Sequence, residues 1–387
     1  MSKMFYNCYN LSSLNLSQFN TGNVEKMNEM FYYCRELKSL DLSAFNTAKV
    51  NNMYRMFYYC FVRTIDLSSF NTANVENMDE MFAGASLVVN IYTSESFKTD
   101  KLTTSNYMFY LCTKLPNFNK YEVDATHANY GAGGYFKKIV GQKGSVTLGA
   151  NGEPLAVAEL TLTDDEDFKA YESFIATSAS YKRKMNEGTT WATLCLPFEV
   201  SLENKNFRAF KLLSADETTN TVELEEITTS VAAGTPVIIK MNEGATALKF
   251  SVANEKIAHQ VVSAADGNYQ LQGLYAKKVF VKGADDNCYI VKGNKLMNPS
   301  KLLENAKVNE VNCKAFRAYM VDNSSTPAGA KMFSIGFDET ATAIDNLNTN
   351  ADDKAIYYDL QGHRLNGPQK GINIVKRGNK TMKVIIK

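Results

Sequence analysis

The residues with catalytic or metal-binding chemistry are few and scattered. Three histidines, His127, His259 and His363, stand more than a hundred residues apart. No G-x-S-x-G elbow accompanies them, so a hydrolase triad has no support. A Walker A loop, a G-x-G-x-x-G after a strand and an H-E-x-x-H are absent as well. The glycines of Tyr130-Gly131-Ala132-Gly133-Gly134-Tyr135 lack the helix pattern that must follow a phosphate-binding loop. The densest acidic run, Asp164-Asp165-Glu166-Asp167, offers hard oxygens to Ca²⁺ but lacks the alternating spacing and the glycine of a dedicated loop. It reads as a solvated turn, or as the N-terminus of a helix over Phe168-Lys169-Ala170-Tyr171. Seven cysteines remain. No pair has C-x-x-C spacing and no histidine is near one, which leaves zinc without support. The sequence predicts no catalytic residue, no metal and no cofactor.

Four of those cysteines belong to a repeat, and the repeat is the strongest signal in the chain. The Met-Phe dipeptides at 4–5, 30–31, 56–57, 81–82 and 108–109 step by 26, 26, 25 and 27 residues. Cys8, Cys34, Cys60 and Cys112 follow at a fixed offset, with Ala85 in the fourth unit. Further columns read Leu14, Leu40, Ile65, Ile91, Phe118, then Phe19, Phe45, Phe70, Phe97, and Val24, Val50, Val75, Leu102. Val24, Met27, Met30, Phe31 and Cys34 share one face of a helical wheel, which predicts a short helix in each unit. Leu37–Leu42 alternates apolar and polar residues, which predicts a short strand. Thr21, Thr47 and Thr72 stand where helix N-caps would. Asn20, Asn46 and Asn71 form a column expected to bond backbone at the turns. The expected fold is an α/β leucine-rich-repeat solenoid, a short helix plus a short parallel strand per ~26-residue unit. A small residue at a fixed coil position packs inward, so the cysteines are expected as free buried thiols.

These columns, above all Leu-Asp-Leu-Ser-Ala-Phe-Asn-Thr at 40–47 and Val-Asn-Asn-Met-Tyr-Arg-Met-Phe-Tyr-Tyr-Cys at 50–60, resemble the BspA-like leucine-rich repeat of Bacteroidetes surface proteins, also found in mycoplasma lipoproteins. The resemblance covers about the first 120 residues. It implies an exported, adhesin-like protein whose partners are host extracellular matrix proteins or surface glycans. Met1 aligns with Met27, Met53 and Met78, so the chain starts in mid-unit. A fragment or misplaced start is expected, with a signal peptide lost upstream and an extracellular, cell-surface location.

Past the repeats, the sequence reads as short strands between turn residues, predicting an all-β antiparallel sandwich-like region. Trp191–Phe198, Gly234–Lys240 and Ala315–Tyr319 resemble a C-terminal β module of Bacteroidetes repeat proteins that has no assigned activity. Asn346–Lys354 reads as a linker. The tail, with Tyr358-Asp359-Leu360-Gln361-Gly362-His363, resembles the sorting endings of such proteins; the plainer reading is a closing β-hairpin with solvated lysines. The expected domains are 1–127, the solenoid truncated at its N-terminus; 128–342, the β-sandwich-like part; and 343–387, linker and anchor-like segment.

With 42 basic and 41 acidic residues, the chain lacks the cationic surplus that nucleic-acid binding needs. No apolar stretch is long enough to span a membrane as a helix, and a monomer is expected. The best functional surface is then the polar ribbon flanking the strand column on the concave face: Ser39 and Asp41, Thr64 and Asp66, Asn90 and Tyr92, Asn117 and Asn119, with Ser13 and Asn15 in the first unit. Such a face commonly takes extended ligands. The expected function is non-enzymatic binding. The alternatives are a structural surface spacer without a ligand and, third, an accessory to a carbohydrate-active enzyme.

Overall fold

The helices expected between the strands do not form. In the computed structural model, strands make up 38% of the chain and helices 2%. The α/β leucine-rich-repeat solenoid is thereby corrected to a helix-free stack of coils leading into β-sheets. The structure describes residues 1–262, 267–281, 285–304, 308, 310–324, 332–335, 356–359, 363–367, 369, 371–377 and 380–386. The expected linker at 346–354 lies outside these, as do Leu360, Gln361 and Gly362 of the tail phrase.

Backbone hydrogen bonding explains the missing helices. In a helix each amide would bond within its own segment, four residues back. Here alternate amides leave for the next coil: Met27 N donates to Asn52 O, Glu29 to Tyr54, Phe31 to Met56 and Tyr33 to Tyr58, all at 2.8 or 2.9 Å. The amides between them close four-residue turns, as Tyr32 N does on Glu29 O at 3.3 Å. The next coils repeat this, Phe57 N to Met81 O and Phe82 N to Met108 O. Every fourth residue is left-handed: Glu29 and Tyr33, Arg55 and Tyr59, Glu80 and Gly84 have φ of 51–74°. A non-glycine residue there costs about 1–2 kcal/mol, offset by the ladder between coils. A chain of four-residue turns points positions 27, 30, 31 and 34 inward just as a helix would, so the apolar spacing alone could not separate the two.

The coils bury a continuous apolar column. Phe31, Phe57, Phe82 and Phe109 stack ring on ring at 5.5–5.6 Å, flanked by Met27, Met30, Met53, Met56, Met78 and Met81, all without solvent exposure. The threonines expected as N-caps do different work. Thr21 Oγ1 donates to Asn46 O and accepts from Asn46 N, and Thr47 does the same to Asn71. Each buried hydroxyl thus stitches one coil to the next. The Asn column closes turns within its own coil, Asn46 Oδ1 accepting from Ala48 N and Asn71 Oδ1 from Ala73 N.

Strand β1 (Thr64–Asp66) pairs in parallel with β2 (Asn90–Thr93). Next to β2 lies β3 (Lys137–Lys143), not the segment 117–119 that the repeat columns suggested. Tyr135 and Phe136, just before β3, set their rings edge-on to Phe109 at 5.1 and 5.7 Å and close that end of the column. Antiparallel to β3 runs β4 (Val146–Ala150).

The chain continues as β5 (Ala156–Thr163), β6 (Phe168–Ala170), β7 (Phe174–Lys184), β8 (Trp191–Leu194), β9 (Val200–Ser201), β10 (Phe207–Asp216) and β11 (Thr221–Ile227). There follow β12 (Ser230–Val231), β13 (Val237–Met241), β14 (Ala247–Ile257), β15 (Tyr269–Gly273), β16 (Lys278–Val281), β17 (Cys288–Lys292) and β18 (Lys295–Met297). A one-turn helix, α1 (Pro299–Leu303), precedes β19 (Glu310–Cys313), β20 (Ala318–Asp322) and β21 (Met332–Ser334). The run at Phe168, one reading of which was a helix, is the strand β6. A nine-stranded sheet runs β15-β20-β17-β18-β21-β11-β10-β13-β8, and a three-stranded sheet runs β14-β7-β5 with β5 and β7 parallel. Ala192, Leu194, Ile239, Tyr181, Leu248 and Phe316 meet in the core that these sheets share.

The chain divides into two compact units, residues 1–333 and 334–387. The second holds an antiparallel sheet of β22 (Ile356–Tyr358), β23 (Arg364–Leu365), β24 (Gly371–Arg377) and β25 (Lys380–Ile386), ordered β23-β22-β24-β25. Within it Asn373 is buried and pairs in both directions with the backbone of Gln369.

Candidate functional site

The polar ribbon is assembled only in part, and most of its side chains are already engaged. Register places Thr64 beside Asn90 and Asp66 beside Tyr92. Ser39, Asp41 and Thr64 are exposed. The carboxylates of Asp41 and Asp66 turn back to accept from the amides of Ser43 and Ser68 at 3.0 and 2.9 Å. Bonding from the Ser43 hydroxyl and amide holds Asp41 below the usual carboxylate value. Asn90 Oδ1 accepts from Lys137 Nζ at 2.8 Å. Tyr92 is buried, and Gly149 of β4 lies so close that a Cβ there would stand 2.3 Å from the ring. Asn117 and Asn119 fall away from the ribbon, because β3 occupies the place beside β2. Asn119 instead closes its own turn, its Oδ1 accepting from Tyr121 N, and donates its backbone amide to Tyr135 Oη.

A different face of the coils carries a continuous array of side chains. Tyr6, Tyr32 and Tyr58 occupy one position in successive coils and stack at 4.6 and 4.9 Å, nearly parallel. Beside them Tyr33 and Tyr59 stack at 4.9 Å, and the Tyr59 ring ends over the bare Cα of Gly84. Tyr32, Tyr33, Tyr58 and Tyr59 are half-buried, so the rings cover one another and present their edges. The Arg35 guanidinium lies 4.4 Å from the Tyr33 ring, and Arg55 lies 5.0 Å from Tyr58. A charge column runs alongside on the left-handed positions, with Lys3 bonded to Glu29 at 3.3 Å and Arg55 to Glu80 at 2.7 Å. Burial, and after it the neighbouring phenols Tyr6, Tyr33 and Tyr58, push Tyr32 up to about 12. The ladder is a row of phenol rings spaced by the coil repeat, with the guanidinium groups of Arg35 and Arg55 against it. Its signal was present as Phe-Tyr-Asn-Cys, Phe-Tyr-Tyr-Cys and Phe-Tyr-Tyr-Cys at 5–8, 31–34 and 57–60. Reading those segments as helices turned adjacent tyrosines about 100° apart and hid the alignment.

The other chemistry-bearing residues are individually satisfied. The four carboxylates of the acidic run each have a separate partner. Asp164 meets Arg317, Asp165 meets Lys314, Glu166 meets Lys143, and Asp167 accepts from Lys277 N. They do not converge on a cation. Among the described residues no cluster of three or more His, Cys, Asp or Glu could hold a metal. His127 contacts Glu122 and stacks on Tyr135, while His363 bonds Asp359 in the second unit. Ser173 Oγ and His259 Nδ1 are 3.1 Å apart on an exposed surface. No carboxylate among the described residues bonds that imidazole, so the pair lacks the orienting group of a triad.

Cys34, Cys60 and Cys112 are buried free thiols and Cys8 is half-exposed. Desolvation, then the neighbouring thiol in the column, pushes Cys34 and Cys60 up to about 12. At pH 8 their thiolate fraction is then on the order of 10⁻⁴, against about a quarter for an ordinary thiol. A thiol reagent added to the native chain is expected to modify Cys8 quickly and the other three only on unfolding. Mass spectrometry of the labelled peptides checks this, and equal rates at all four would show that the column opens.

Residues 1–124 match a family described as Mycoplasma protein of unknown function, DUF285. That match, together with the helix-free coils, replaces the likeness to the BspA-like leucine-rich repeat of the Bacteroidetes, which has no support. No curated protein and no solved structure matches the chain. Among the described residues no helix is long and apolar enough to cross a membrane.

Proposed function

We propose that the coil stack is a non-enzymatic, adhesin-like binding module at a bacterial cell surface, and that its tyrosine ladder holds the partner. The observation that carries this reading is the stacking of Tyr6, Tyr32 and Tyr58, with Tyr33 and Tyr59 beside them, under Arg35 and Arg55. Tyrosine and arginine are the residues on which association energy concentrates. A tyrosine already held in a stack loses little side-chain entropy when a partner docks. The row repeats with the coils, so it suits an extended partner that repeats contacts along its length. A host matrix protein fits best, and a glycan chain is the other outcome to test.

Binding of the full chain to an array of matrix proteins and glycans tests this. Tyr32→Ala/Tyr58→Ala is expected to weaken a hit by about tenfold or more, a loss of at least about 1.4 kcal/mol. Asp41→Ala/Asp66→Ala is expected to leave it within about twofold, because those carboxylates serve their own turns. The opposite ranking would return the site to the polar ribbon. The spacer reading draws on the same internal satisfaction of Asp41, Asp66 and Asn90; a folded chain that binds nothing on the array would favour it.

A further inference from the structure

Far from the coils in sequence, two arginines share one carboxylate beside a cleft of about 430 Å³. Arg183 comes from β7 and Arg317 from the turn before β20. Arg317 Nη2 is 2.6 Å from Asp164 Oδ2, and Arg183 Nε is 3.9 Å from the same oxygen. Arg183 Nη1 donates to Thr193 O at 2.8 Å. The arginine side chains are 7% and 29% exposed. A single carboxylate neutralises one guanidinium, which leaves a second positive charge in a poorly hydrated place. Such a charge is costly unless an anion meets it.

The cluster is short of acceptors, and burial sets its two charges against each other. Arg317 Nε is buried and has no hydrogen-bond partner among the described residues. Burial, and after it the Arg317 charge, pulls the Arg183 guanidinium below its ordinary value. Both arginines line the cleft, whereas Asp164 does not. Lys184 and Lys292 also line it, and among the described residues Glu187 is the one carboxylate that does. The volume exceeds that of a bare ion and falls in the range of sites for small organic ligands.

We propose that this cleft binds a carboxylate carried on a small organic ligand, gripped by Arg183 and Arg317. A planar guanidinium offers two parallel donors at the spacing of carboxylate oxygens. Asn186, Asn294 and Asn312, which also line the cleft, supply amides for the polar remainder of the ligand. This site stands independently of the tyrosine ladder.

Calorimetry on the full chain tests the proposal with two carriers of the same group, D-glucuronate and N-acetylglycine, against D-glucose and inorganic phosphate. At least one acid is expected to bind and glucose to give no heat. Which acid binds distinguishes a sugar carrier from a peptide terminus. Arg317→Lys keeps a charge but loses the fork, and is expected to weaken binding about tenfold. Asp164→Asn removes the competing carboxylate and is expected to tighten binding several-fold. That gain cannot come from a damaged fold, so it separates ligand capture from a structural ion pair. Silence from both acids, phosphate binding in their place, or unchanged affinity in both variants would overturn the proposal.

Discussion

Phe57→Ala is expected to remove about 3–5 kcal/mol from the stability of the coil stack, the range for deleting a fully buried aromatic ring. Phe57 has no solvent exposure and lies 5.6 Å from both Phe31 and Phe82. Removing it interrupts two ring contacts and opens a void that the flanking Met53 and Met56 cannot fill without leaving their own columns. In a stack of coils each unit is stabilised by its two neighbours, so a loss in the middle weakens both interfaces. Phe5, only partly buried, stacks on Phe31 at 5.6 Å and meets Phe19 only as a tilted ring at 6.3 Å; it is the internal comparison. Phe5→Ala is expected to cost no more than about half as much. Hydrogen exchange of peptides spanning 27–34 and 78–85 reads the effect coil by coil. Faster exchange on both sides of residue 57 is expected, and equal losses from the two variants would show that the coils do not behave as a nearest-neighbour stack.

The repeat was legible because stacked coils require the same residue type at the same depth in each copy. Met30, Met56, Met81 and Met108 recur for that reason, and all four are buried. The path of the chain between those columns was not legible. An inward set at 27, 30, 31 and 34 fits a helix of 3.6 residues per turn, and it equally fits four-residue turns. One local clue favoured turns: Asn52 and Asn77 sit mid-segment, where such side chains compete with helical hydrogen bonds. In the structure each accepts from an amide two residues ahead, Tyr54 N and Asp79 N.

The candidate sites divide along the same line. Strand alternation predicts that the ribbon residues point outward, and Thr64 on β1 does; Asp41 is exposed as well, but the strand expected over Leu37–Leu42 does not form. Alternation carries no information on what β3 and β4 place over Tyr92. The tyrosine ladder follows directly from the repeat once the turns are known. The arginine cleft was beyond reach of the sequence, because Asp164 and Arg317 are 153 positions apart and meet only after the sheets have formed.

The threonine column gives the sharpest test of how the coils are joined. Thr47 Oγ1 donates to Asn71 O and accepts from Asn71 N, both at 2.9 Å, and the side chain is buried. Thr47→Val preserves shape and volume while leaving that amide and carbonyl without partners. The two bonds are part-buried, so each unmade one costs about 1–2 kcal/mol, the lower part of the range for a buried group, and the variant is expected to lose about 2–4 kcal/mol. Thr47→Ser keeps the hydroxyl and gives up one methyl, a loss of about 1 kcal/mol. Asn46→Ala removes only an exposed turn contact to Ala48 N and is expected to cost less than about 1 kcal/mol. Urea unfolding, followed by exchange protection of the coil amides, ranks the three. The expected order is valine, then serine, then alanine, with a wide gap after valine. Had these threonines acted as helix N-caps, valine would have cost about 1 kcal/mol, and the loss would stay within one coil. A stitch between coils predicts instead that the peptide around Asn71 loses protection when residue 47 is changed.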